Sequence, residues 1–216
     1  MKNKSTEFSI PADIIGLANS QQHADFFALG DLAMCQRLVT GLDMIKVWSE
    51  VCKINDQLEA HDELNEGDLS EPFRYEFLTV ATSLKARWTR LCKVPSKTMD
   101  KHVDLILSLA IKLQKTIDAH RDELCCLGNP RLPTLPRSKR DLFASVGIPE
   151  DLWLRPTKPN ASSAETTFYA RALSNFFYRR TGSQHLTLVA LTISALLDLP
   201  DPITPDHVAK LCQGLT

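Results

Sequence analysis

Glycine is scarce in this 216-residue sequence, eight in all, and the eight stand isolated. A glycine-rich loop able to cradle phosphates is therefore absent, and with it the common nucleotide-binding signatures. Missing too are the G-x-S-x-G turn that presents a hydrolase serine and the H-E-x-x-H pair that holds catalytic zinc. The six cysteines, Cys35, Cys52, Cys92, Cys125, Cys126 and Cys212, show no C-x-x-C pairing. That pattern excludes the usual structural zinc sites, argues against a disulfide framework and leaves reduced core thiols as the expectation. No apolar run reaches the ~20 residues that span a bilayer. The longest, Leu186 to Leu199, includes Thr and Ser. Lys2 and Lys4 precede only a short apolar segment broken by Pro11 and Asp13, a poor signal peptide, so a cytoplasmic protein without membrane contact is expected. No strand-like alternation, internal repeat or low-complexity tract is found.

What the sequence has is an ordinary globular composition, 44% hydrophobic and 24% charged, with its charge unevenly spread. Residues 1–71 carry thirteen acidic and five basic side chains, residues 72–216 thirteen acidic and twenty basic. If the two parts pack together their fields partly cancel; if not, the second is a basic surface suited to nucleic acid or an acidic protein.

Helical periodicity dominates. Met99, Val103, Ile106, Ala110, Leu113, Ile117 and Leu124 recur at steps of four and three, with His120 in the skipped place, and predict one buried stripe on a helix from Ser96 to the Gly128-Asn129-Pro130 stop. Ser9 to Asp13 opens a short helix ending near Asn19-Ser20. A helical region from about Ala24 is interrupted at Thr40-Gly41, and Met44, Val47, Val51, Ile54 and Leu58 start a new stripe that ends in the acidic stretch 59–71. After Pro72, Phe73, Phe77, Val80, Leu84, Trp88 and Leu91 form another stripe. Ser162 to Glu165 reads as a capping box opening a helix through Phe168, Ala172, Leu173, Phe176 and Phe177 to Gly182. A very apolar helix follows from Leu186, and Thr204-Pro205-Asp206 starts a last short one.

These elements predict an all-α protein: an antiparallel up-and-down bundle over 1–127, a proline-rich basic connection over 128–161 pinned by Trp153, and a smaller helical unit over 162–216. Two short helical pieces, from Ser138 through Val146 and from Pro149, are expected within the connection.

Chemistry is less legible. On the helix from Ser163 to Thr181, Arg171, Asn175, Tyr178 and Arg179 fall near one face; with Arg180 and the upstream Arg137, Lys139 and Arg140 they offer cations for phosphates and an aromatic for stacking. Arg180 and His185 stand five residues apart after a basic, aromatic helix. This spacing resembles the loose motif of HEPN-type all-helical ribonucleases. The resemblance implies an arginine that stabilises phosphate charge and a histidine serving as acid or base. His23, His61-Asp62 and Asp118 or Asp122 resemble the ligand types of HD-type metal phosphohydrolases, without the glycine and lysine that usually follow the His-Asp doublet. His120 with Glu123 is a further metal-like fragment, read instead as a histidine filling an apolar stripe. Neither resemblance covers a continuous part of the chain. The expectation is a non-catalytic adaptor, regulatory or assembly subunit that binds a protein partner and needs no cofactor or metal, its basic second half contacting nucleic acid.

Overall fold

The computed structural model describes residues 8–27, 31–62, 72–93, 96–121, 135–136, 154–156, 158 and 161–213. Several expectations fall outside these: the Gly128 stop, both helical pieces of the connection, Trp153, Leu124 and the side chain of Met99. The protein is all-α, a helical bundle with a smaller set of C-terminal helices, and no described residue lies in a strand. The helices are α1 (Ala12–Ala18), α2 (Gln21–Phe27), α3 (Leu32–Arg37), α4 (Leu42–Asp62), α5 (Phe73–Cys92), α6 (Ser96–Ala119), α7 (Ala164–Thr181), α8 (Leu186–Leu196) and α9 (Pro205–Leu211). None of them is long and apolar enough to cross a membrane.

Two compact units are formed. One joins Met1–Thr89 to Pro156–Thr216; the other is Arg90–Arg155.

In the first unit, the chain turns between α3 and α4 at Gly41, whose φ of +83° suits a residue without Cβ. Met44, Val47, Trp48, Val51 and Ile54 of α4 are buried, as their spacing predicts. Helix α5 runs antiparallel to α4, because Trp48 meets Phe77 edge-on with centroids 5.2 Å apart while Asn55 Oδ1, nearer the other end of α4, accepts the Arg74 N–H at the start of α5. It is also antiparallel to α7: Phe73 stacks on Phe176 at 5.2 Å and Trp88 lies 5.6 Å from Phe168. The aromatic rings of three helices therefore share one core. Such ring pairs contribute about 0.5–1.5 kcal/mol each beyond the area they bury.

Helix ends show where local rules hold. Gly182 (φ +73°) closes α7 in the left-handed conformation, its N–H on Tyr178 O, and Thr204 Oγ1 accepts the His207 N–H to start α9. Asp31 does the same for Met34 at the start of α3. The capping box at the start of α7 does not form. Ser163 is the N-cap and makes no side-chain cap, while Glu165 accepts the Tyr169 hydroxyl at 2.8 Å instead. At the other end of α8, Arg37 donates from Nε to Ala195 O and from a terminal nitrogen to Leu196 O, both at 3.0 Å. A guanidinium there satisfies orphan carbonyls and opposes the negative end of the helix dipole.

The second unit corrects the stripe read along α6. Val103 is buried and Ile117 half buried, but Ile106 and Leu113 are exposed, and Gln114 turns inward. Gln114 Oε1 accepts the Leu135 N–H at 2.7 Å while its amide donates to Asp118. A buried amide in place of Leu113 shifts the inward face round the helix, which periodicity alone does not resolve because α6 is apolar on more than one side.

Trp48 is fully buried and its indole N–H donates to Leu38 O at 2.6 Å. Trp48→Phe leaves that carbonyl without a donor and is expected to lower the unfolding free energy by about 1–3 kcal/mol. Trp48→Ala should cost about 3–5 kcal/mol. Urea titrations followed by circular dichroism measure both; a Trp48→Phe variant as stable as the parent would show that the bond contributes nothing.

Candidate functional site

The basic residues singled out on α7 separate in space. Tyr178 and Arg179 are exposed in its last turn. Arg171 is half buried and donates from Nε to Leu211 O at 3.0 Å, so it ties the end of α9 to α7. Burial also lowers the pKa of its guanidinium. Asn175 is buried. Arg180 turns to α5, where its Nε lies 3.2 Å from Glu76 Oε2, a charge contact shielded from solvent and without hydrogen-bond alignment. Arg137, Lys139 and Arg140 lie outside the described residues.

His185 is held separately. It is the N-cap of α8 at φ +47°, with its ring 5.1 Å from that of Phe177 and Nε2 3.0 Å from Thr181 Oγ1. Thr181 Oγ1 donates to Phe177 O at 2.8 Å and accepts the Ser183 N–H at 3.2 Å, so the hydroxyl that His185 Nε2 meets is itself anchored to the end of α7. Arg180 and His185 are thus held by different neighbours, Glu76 for one and Thr181 with Phe177 for the other. A phosphate bound between them would have to displace both arrangements.

Among the described residues no three His, Cys, Asp or Glu side chains converge as metal ligands. His23 lies half buried on α2, Nε2 3.2 Å from Thr82 Oγ1, and Asp118 accepts from Gln114 and Arg121. The side chains of His61 and Asp62, and all of Asp122 and Glu123, are outside the described set, while His120 is exposed. The buried thiols are poor nucleophiles: burial pushes Cys35 up to about 11, and Cys212, whose Sγ lies 3.3 Å from Ser174 Oγ, is raised by the same cause. A cleft of about 710 Å³ opens beside Leu17, Ser20, Gln22, His23, Asp25 and Phe26.

The surface that stands out was not anticipated as one. On α6, Leu105, Ile106, Leu109 and Leu113 are 57%, 48%, 55% and 53% exposed. At 100° per residue they lie within one narrow sector, continued by His102 and Thr116, both exposed. The signal is in the sequence: leucines at 105, 109 and 113 repeat every four residues, and with Ile106 they share two members, Ile106 and Leu113, with the stripe expected to be buried.

Burial depresses the imidazole pKa of both His23 and His185 below the ordinary value of 6.5, against a smaller opposing effect of Glu50 on His185. The unfolded chain then binds protons at a higher pH than the folded one, so stability is complete above pH 6.5 and falls as pH drops through and below it. Urea midpoints at pH 7.5 and 5.5 should show that loss, and His23→Gln with His185→Gln should flatten it; an undiminished slope in the double variant would place the protons elsewhere. Compared with known proteins, the chain matches no family model, no curated protein and no solved structure.

Proposed function

We propose that the chain is a non-catalytic helical interaction protein, an adaptor or assembly subunit that binds a protein partner through α6. The observation that carries this reading is the run of four large apolar side chains, each about half exposed, along one sector of that helix. Scattered exposed leucines are normal, but a contiguous strip at helical spacing is what a packed neighbour covers. The rest of the chemistry agrees with a binding role. Arg171 and Arg180 are occupied in joining helices, the imidazole of His185 is bonded to Thr181, and the buried thiols are protonated at neutral pH. Nucleic acid is left out of the proposal, because of the described residues assigned to that surface only Tyr178 and Arg179 are exposed, too few for a stripe that follows a phosphate backbone.

Affinity capture with the intact chain tests the reading. A polypeptide recovered in stoichiometric amount should be lost by roughly tenfold or more when the bait carries Leu109→Glu with Leu113→Glu, a change of about 1.4 kcal/mol or more. Thermal unfolding of the variant should match the parent, since both positions are half exposed. If every captured polypeptide persists with the variant bait, α6 is not the binding surface and the reading fails.

A further inference from the structure

The edges of the α6 strip are unlike, and the difference specifies its occupant. Along one edge run Lys101, Ser108, Lys112 and Lys115, all exposed, and no lysine of the three is in an ion pair among the described residues. The other edge is Ala110 and Ile117, half buried, leading to the inward Val103 and Gln114. Asp118 lies on the far side of the helix, held by Gln114 and Arg121, and Asp104 lies beyond the lysines. The strip is therefore apolar along its centre and positive along one side only.

A second copy of the chain fits this poorly. Two α6 helices packed antiparallel face to face bring the same edges together, lysine against lysine; packed parallel, they set the lysine edge against Ala110 and Ile117, which carry no acid. Neither arrangement answers the charge.

We propose that the strip receives an amphipathic helix of a partner protein whose apolar face meets Leu105, Leu109 and Leu113 and whose flank toward Lys101, Lys112 and Lys115 is acidic. The central contact, Leu105 to Leu113, covers about 12 Å of helix axis, and with His102 and Thr116 about 21 Å, at 1.5 Å per residue. A partner helix of roughly four turns spans that length. Apolar packing supplies the attraction, while the lysine edge sets the partner's direction and raises the rate of encounter. This inference rests on the protein-binding reading above and adds the chemistry of the partner.

Two synthetic 18-residue helical peptides test it. Both carry leucines at every third and fourth position along one face, and they differ only in having glutamates or lysines along one flank. Binding to the full chain, followed by fluorescence anisotropy, should be at least roughly tenfold tighter for the glutamate peptide, weaken as salt screens the flank, and disappear with Leu109→Glu. Lys101→Glu, Lys112→Glu and Lys115→Glu together should reverse the preference. Equal affinity for the two peptides, no binding of either, or binding that survives Leu109→Glu overturns the proposal. So does a parent chain that sediments as a dimer dissociated by Leu109→Glu, which would give the face to a second copy. A large fall in melting temperature in that variant also overturns it, since the chain itself would then cover the strip. Capture of a partner that depends on Leu109, combined with no charge preference among the peptides, would remove the acidic flank and leave the protein-binding reading standing.

Discussion

The packing of Phe73 and Phe77 against rings from two other helices is the constraint on which the first unit depends. Phe77 meets Trp48 of α4 on one side and Phe177 of α7 on the other, and Phe73 stacks on Phe176. Helix α5 thereby joins a segment near residue 48 to one near residue 177, and the unit is assembled from the two ends of the chain. These rings are rigid and large, so they fix register along the helices as well as contributing burial. Displacing one of them by a helical turn would separate Trp88 from Phe168 and Glu76 from Arg180, contacts made by the same pair of helices. The antiparallel direction of α5 and α7 is thus set by side chains spread over about four turns, from Phe73 to Trp88.

Much of that was legible before any coordinates. The α4 and α5 stripes were readable because each helix has one dominant apolar face with polar residues opposite, so spacing alone names Met44, Val47, Val51, Phe73, Phe77 and Leu84 as core. Gly41, Gly182, Thr204 and Pro205 were readable because a left-handed residue and a hydroxyl cap are local requirements. What could not be read was decided by distant partners. Ser162 and Glu165 have the spacing of a capping box, yet Tyr169 one turn on claims the carboxylate. Helix α6 carries apolar residues round more than half its circumference, so periodicity offers two candidate faces, and the bond from Leu135 N–H to Gln114 selects the one that turns inward. That selection left Leu105, Leu109 and Leu113 at the surface and made them the candidate site.

The charge asymmetry of the sequence resolves in the same way. Taken along the chain, the first third is acidic and the remainder basic. In the folded first unit the opposite signs meet: Arg74 and the Tyr75 hydroxyl both reach Asp13, and Lys85 pairs with Asp31. The Tyr75 bond and the lysine beside Asp31 hold those two carboxyls below their ordinary pKa. Partly exposed ion pairs of this kind contribute little stability singly, but each removes a cation from the surface that the sequence suggested. Arg37 and Arg171 go further, since their donors are spent on backbone carbonyls at the ends of α8 and α9.

An arginine that closes a helix end cannot also track a phosphate backbone without releasing what it holds. Arg37 and Arg171 close helix ends and Arg74 and Arg180 lie against acids of other helices, and Arg171 and Arg180 were among the cations assigned to a nucleic-acid surface. Lys101, Lys112 and Lys115 differ in being exposed beside apolar side chains. A lysine stem lies along neighbouring hydrocarbon while its ammonium stays in water, so a basic edge next to leucines draws water to the border of the strip. Such an edge also repels an identical helix in antiparallel approach. In the proposed reading the same three lysines select the occupant that displaces water from the strip.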